Sequence, residues 1–183
     1  VYASHNLSPY FIEGTKTFAY ELARQMESVP DHIVVPVGNG SLFIGAYKGF
    51  GELMGAGKVS TMPKLHCIQA RAVMPIVAAF QGSAWMPSSV RTIAGGISVG
   101  SPPRLHQVLD VLRASNGVAL AVEDGDMLRW QKLLAEKEGI YAEPTSAAAF
   151  AGLEELVTSG EVRRDELVLV PITGFGLKDA PPV

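Results

Sequence analysis

Apolar positions recur along this chain in two rhythms that take turns. Residues 13–26 (EGTKTFAYELARQM) place Phe18, Leu22 and Met26 at i, i+4 and i+8, the spacing of a helix with one face turned to a core. Residues 31–37 are rich in β-branched side chains and predict a strand. Residues 42–54 return to helical spacing, with Phe43, Tyr47, Phe50 and Met54 on one face. Gly45 and Gly49 lie one turn apart on another face of that helix, where a second backbone can approach closely. Residues 64–69 (KLHCIQ) form the next predicted strand. A Gly-, Pro- and Ser-rich region follows to Pro103, holding a weakly patterned helix over 75–81 and a loop at Gly95-Gly96. Ser101-Pro102-Pro103 opens a helix over 104–114. A strand over 118–122, a helix over 125–139 with Leu128, Leu133 and Leu134, an Ala-rich helix over 144–159 and a strand over 166–172 complete the pattern. Strands and helices alternate through short turns. That predicts a three-layer α/β/α domain with a mostly parallel sheet.

Composition adds two readings to this picture. The 183 residues are 48% hydrophobic and 18% charged, apolar for a domain of this size. Either a parallel sheet is buried on both faces, or some apolar surface is covered by another chain or segment; the two are compatible. The net charge is −3 with scattered lysines and arginines, which argues against a nucleic-acid or anionic-membrane surface. One cysteine, Cys67, excludes a disulfide framework within the chain and suits a reducing compartment. Its place in a predicted strand points to buried packing. No run approaches the ~18 apolar residues of a membrane span. The chain opens at Val1 with neither methionine nor a basic-then-apolar leader, and the expectation is a portion of a longer, cytoplasmic polypeptide. His5, His32, His66 and His106 show no metal-ligand spacing with one another or with Cys67, so no metal site is expected. Trp85 and Trp130 read as packing residues.

Candidate chemistry gathers at the carboxyl ends of two predicted strands, where ligands of open α/β sheets bind. One strand runs into Gly38-Asn39-Gly40-Ser41, the other into Thr173-Gly174-Phe175-Gly176. The first loop is not a nucleotide P-loop, because Lys48 follows Ser41 by seven residues, roughly 10 Å along a helix at ~1.5 Å per residue. Nor is it a dinucleotide fingerprint, because Phe43 stands where a third glycine is needed. What remains is an uncharged anion site. Successive backbone N–H groups from Gly38 to Leu42, the Ser41 hydroxyl and the positive end of the next helix can hold a phosphate without a cation. Ser41 is expected to serve also as helix N-cap. A tight turn and cap with no ligand is the plainer alternative for this loop alone.

Four segments in order resemble the fold-type II pyridoxal-phosphate enzymes, and among them the threonine synthase-like group. They are SHNLSPYFIEGTKTFAYELARQM, VPVGNGSLFIGAYKGF, TIAGGISVGSPPR, and the pair GIYAEPTSAAAFAGL and VPITGFGLKD. The resemblance implies the tryptophan synthase β-subunit-like fold, with residues 1–183 as its carboxyl-terminal large domain, itself incomplete. It implies pyridoxal 5′-phosphate as cofactor, its phosphate on Gly38, Asn39, Gly40, Ser41 and Leu42, and Thr173 near the ring nitrogen. A neutral hydroxyl there leaves that nitrogen largely unprotonated, which suits elimination and replacement. Glu143 and Ser146 come from the segment that closes the pocket, with a helix cap as the plainer role. His5 and Asn6 begin a family motif and are expected to line the cleft.

The same resemblance places the Schiff-base lysine in a smaller domain upstream. None of Lys16, Lys48, Lys58, Lys64, Lys132, Lys137 or Lys178 has its sequence context, so no catalytic residue is expected in this chain, which alone should be inactive. The parent is expected to be a lyase acting on amino acids by β/γ-elimination or replacement, converting O-phosphohomoserine to threonine. Partners are then the amino-acid substrate, the amino-terminal domain and a second copy in a homodimer. Two departures keep other substrates open. Tyr10-Phe11-Ile12 is uncharged where threonine synthases often carry a basic residue, and Phe175 stands where many have histidine. The alternatives are a serine/threonine dehydratase-like enzyme, a cysteate synthase-like enzyme using O-phosphoserine, and a non-catalytic domain that binds a phosphorylated ligand.

Overall fold

The computed structural model describes residues 8–87 and 89–178. Four parallel strands form one sheet in the order β3-β2-β1-β4. They are β1 (His32–Pro36), β2 (Lys64–Ala70), β3 (Ala119–Val122) and β4 (Val168–Leu169). The helices are α1 (Pro9–Thr15), α2 (Thr17–Gln25), α3 (Ser41–Gly55), α4 (Pro75–Phe80), α5 (Leu105–Ala114), α6 (Asp124–Glu138) and α7 (Pro144–Thr158). Strand alternation divides the core in two. Ile33, Val35, Val37, Leu65, Cys67, Ala119 and Ala121 pack with Phe43, Phe50, Ile76, Val108 and Leu112 from α3, α4 and α5. Val34, Ile68, Ala70 and Val122 pack on the other face with Met127 of α6 and Ala148, Ala149 and Leu156 of α7. The expected three-layer α/β/α architecture is therefore present. Every residue of β1 is buried, which accounts for much of the apolar composition. Cys67 is buried as well, and burial pushes its thiol far up from the usual range. Among the described residues no helix is long and apolar enough to cross a membrane.

Three elements depart from the periodic reading. The helix expected over 13–26 begins earlier, with Pro9 at its first turn, and divides at Lys16 into α1 and α2. Thr15 causes the division locally. Its hydroxyl lies within hydrogen-bond reach of both the Ile12 carbonyl (2.9 Å) and the Ser41 carbonyl (3.1 Å), which share its single proton and tie the break to the start of α3. The α1–α2 pair lies close on α3 because of the predicted glycines: a Cβ on Gly45 would meet Thr15, and one on Gly49 would meet Ala19 and the Lys16 carbonyl. Met54, expected on the core face of α3, lies in its last turn and is 38% exposed. The last strand spans two residues rather than the expected 166–172. It pairs only with β1, His32 to Val168 and Ile33 to Leu169. Beyond Leu169 the chain leaves the sheet because α7 offers stronger partners. The N–H groups of Thr173 and Gly174 donate to Ser146 Oγ, and the Glu143 N–H donates to the Gly174 carbonyl.

Candidate functional site

β1 ends at Pro36 and the chain turns through Gly38-Asn39-Gly40 before α3 starts at Ser41. Gly40 carries φ +83°, the left-handed region that side chains avoid, and a Cβ there would also overlap Val108 Cγ2. A Cβ on Gly38 would sit 2.8 Å from the Gly96 carbonyl. The expected cap is corrected here. Gly40 is the N-cap residue of α3, and Ser41 is the first helical residue, its hydroxyl making no cap bond. The left-handed turn at Gly40 shifts the half-helical position one residue earlier than residue type suggests.

That shift leaves the Ser41 hydroxyl for something else. Its Oγ is buried and has no partner among the described residues. The backbone N–H groups of Gly38, Asn39, Gly40, Ser41 and Leu42 likewise find no protein acceptor there. They belong to the strand-to-helix turn, where a helix start leaves donors unsatisfied. Together they line a cleft of about 500 Å³ with Phe11, Thr15, Gly96 and Thr173, and among the described residues no lysine, arginine or histidine lines it. A buried, unpartnered hydroxyl beside five unbonded N–H groups is complementary to a phosphate, whose oxygens accept from all of them.

Thr173 reaches this cleft from the segment after β4. Ser146 Oγ accepts from the Thr173 N–H (2.9 Å) and the Gly174 N–H (3.1 Å). Both its lone pairs are then occupied, so its own hydrogen points to Thr173 Oγ1 at 3.0 Å. Thr173 in turn donates to Glu143 Oε1 at 3.2 Å. The other Glu143 oxygen pairs with Lys178 Nζ at 2.5 Å. Glu143 and Ser146 are buried and stand behind Thr173 rather than along the cleft. Glu143 does occupy the N-cap position of α7, but it makes no side-chain cap bond.

Six of the expected site residues thus share one cleft: Gly38, Asn39, Gly40, Ser41, Leu42 and Thr173. His5 and Asn6 lie outside the described residues. Thr15 and Gly96 also line the cleft and were not singled out as site residues from sequence, although both stand inside the quoted motifs; Phe11, noted there only within the uncharged Tyr10-Phe11-Ile12 stretch, lines it too. The signal for Phe11 and Thr15 was their i, i+4 spacing. Among the described residues no cluster of His, Cys, Asp and Glu could hold a metal ion.

A parallel sheet with an uncharged phosphate cradle at the end of β1, faced by a threonine, defines a class of cofactor-binding domain. The chain belongs to the pyridoxal-phosphate dependent enzyme family, whose model matches residues 1–174. It is 41% identical over 183 residues to the threonine synthase of Methanocaldococcus jannaschii, covering 98% of this chain and 45% of that protein. It is 41% identical over 187 residues to the threonine synthase of Methanosarcina acetivorans, covering 100% of this chain and 46% of that protein. The chain therefore spans about half the length of these relatives. Its fold is shared with a fungal L-serine ammonia-lyase from Rhizomucor miehei at TM-score 0.74 and 22% identity, covering 92% of this chain and 53% of the other. It is shared also with the threonine deaminase of T.th. at TM-score 0.72 and 23% identity, covering 96% of this chain and 61% of the other. Pyridoxal phosphate is the family's cofactor, and the cradle's donor set fits its phosphate.

Proposed function

We propose that residues 1–183 are the carboxyl-terminal large domain of a pyridoxal-phosphate-dependent lyase that acts on amino acids by β/γ-elimination or replacement, in the manner of threonine synthase on O-phosphohomoserine. The buried Ser41 hydroxyl, without a partner among the described residues and beside five N–H groups that likewise find none there, carries this reading. Gly38, Asn39, Gly40, Ser41 and Leu42 hold the cofactor phosphate, and Thr173 meets the ring nitrogen. Ser146 donates to the Thr173 hydroxyl (3.0 Å), whose own proton rests on Glu143 Oε1 (3.2 Å) and turns to the unprotonated ring nitrogen when the cofactor binds. When bound, pyridoxal phosphate supplies the electron sink for loss of an α proton. In this reading the Schiff-base lysine lies in a further domain outside residues 1–183, and the chain alone turns over no substrate. The reading carries a cytoplasmic homodimer for the whole protein.

A dehydratase-like reaction on serine or threonine is the second reading. It is favoured by Phe11, an uncharged residue that lines the cleft where the threonine synthase-like group often places a basic one.

Titration of the chain with pyridoxamine phosphate, which forms no Schiff base, tests the cofactor site. Saturable binding is expected, weakened about tenfold by Ser41→Ala through loss of one hydrogen bond to a charged group. No binding, or equal binding by the Ser41→Ala variant, overturns the reading.

A further inference from the structure

We infer that Gln69 is a positioning residue for the anion cradle: it fixes the plane of the Val37–Gly38 peptide and so aims the first N–H of the glycine loop into the cleft. The inference rests on the cofactor reading above and deepens it, naming a residue that shapes the site without lining it. Gln69 stands near the end of β2 and is fully buried. A buried amide is costly unless its donors and acceptors are met. Its Oε1 accepts from the Ile76 N–H (2.9 Å) and the Val77 N–H (3.1 Å), and its Nε2 donates to the Val37 carbonyl (3.2 Å). Two N–H groups can face only the oxygen, so the orientation of the amide is fixed and its nitrogen faces Val37.

Packing does not call for glutamine here. Alternation along β2 puts Gln69 on the same face as Leu65 and Cys67, both buried and apolar. An amide is needed because hydrogen bonds are required on two sides. α4 begins with Pro75, which has no N–H, and Met74 before it makes no side-chain cap bond. Ile76 and Val77 carry the next donors, which a helix start leaves without partners, and Gln69 accepts both. On the other side β1 has ended at Pro36, whose partner in β2 is Ile68. The Val37 N–H donates to the Ile68 carbonyl (2.8 Å), and Gln69 holds the Val37 carbonyl. Both backbone groups of the last residue before the loop are therefore held by consecutive residues of β2.

The consequence for the cradle follows from peptide planarity. The Val37 carbonyl and the Gly38 N–H belong to one planar unit, and in a trans peptide they point in opposite directions. None of the described peptide bonds is cis. With the carbonyl drawn inward to Gln69, the Gly38 N–H is turned the other way, toward the cleft that Gly38 lines. That N–H finds no acceptor among the described residues. Glycine is permissive in φ, so a flip of the peptide on its amino-terminal side meets little local resistance. The restraint comes from Gln69. A hydrogen bond to the carbonyl also polarises the peptide and strengthens its N–H as a donor to an anion.

The test measures two quantities on the isotope-labelled chain. One is the residual dipolar coupling of the Gly38 N–H, which reports the direction of that bond; the other is the affinity for pyridoxamine phosphate. Gln69→Met fills the space but donates nothing to Val37. Gln69→Glu, in mildly alkaline buffer, keeps both acceptor bonds to α4 and presents Val37 with an oxygen in place of the N–H. Both variants are expected to turn the Gly38 N–H while the couplings of His32 to Val35 stay unchanged, which also reports an intact fold. Both should bind pyridoxamine phosphate about tenfold more weakly, as for loss of one hydrogen bond to a charged group. If Gln69→Met does not fold, Gln69→Glu decides. Wild-type affinity in the folded variants overturns the inference. So does weaker binding with the Gly38 N–H unmoved, which would reduce Gln69 to a cap on α4. If wild type binds no pyridoxamine phosphate while the variants still turn the Gly38 N–H, the cofactor reading falls and the positioning role stands.

Discussion

At the scale of the residue, the cradle depends on one backbone angle. Gly40 sits at φ +83° with Val108 against the space where a Cβ would be, so strain and overlap act together on any larger residue. Gly40→Ala should cost about 1–3 kcal/mol of stability, from the left-handed conformation and the displaced valine. Urea denaturation measures this, and a loss below a few tenths would mean that the turn relaxes freely. The same residue shows why residue type misplaces the cap. Serine after glycine suggests an N-cap by type, yet the left-handed turn makes Gly40 the cap and releases the Ser41 hydroxyl into the cleft. Residue type names a hydrogen-bonding group, but only the backbone path decides where it points.

Among the elements, the short β4 is the informative case. A run of apolar residues promised a strand over 166–172, and two residues form it. The competing partner is Ser146, whose hydroxyl accepts two backbone N–H groups from the departing segment. Ser146→Ala removes that acceptor and should cost about 1–2 kcal/mol, since two donors lose their partner. Hydrogen exchange should show residues 170–176 opening well before β1 and β2. Equal protection in variant and wild type would mean that the Glu143–Gly174 backbone bond alone holds the segment. The splitting of α1 from α2 has the same origin. Thr15 bonds to the Ser41 carbonyl 26 residues away, and periodicity carries no information about a partner so distant.

Across the whole molecule, a buried histidine pair joins the first two strands. The Val118 N–H donates to His66 Nδ1 at 3.3 Å, so His66 Nε2 carries the hydrogen and donates to His32 Nδ1 at 2.8 Å. His32 Nε2 lies 3.1 Å from Glu166 Oε2, too poorly aligned for a hydrogen bond. Burial, then the neighbouring His32, pulls the His66 imidazole down to about 4 from 6.5, while Glu161 opposes the shift and Lys64 adds to it. The depressed value means that the unfolded chain takes up the proton first as pH falls. The stability tied to neutral His66 is complete above pH 6.5 and is lost toward pH 4, by about 3 kcal/mol at ~1.4 kcal/mol per pKa unit. Denaturation midpoints between these pH values should show the slope, and His66→Gln should flatten it. An unchanged slope in that variant would assign the acid sensitivity elsewhere.

Sequence alone determined the layers, because alternation along a strand and four-residue recurrence along a helix are set by backbone geometry and need no partner to be read. It determined the glycine loop too, since the residues that make it are contiguous between Gly38 and Leu42 and its motif keeps its order with three others. Tertiary structure decided what contiguity cannot carry. It brought Thr173 across the chain to the cleft, set Glu143 and Ser146 behind it, and left the Ser41 hydroxyl and Arg104 Nε buried without partners among the described residues. Those outcomes rest on hydrogen bonds between groups far apart in sequence. Which of several competing donors and acceptors pair is settled only when packing fixes their distances.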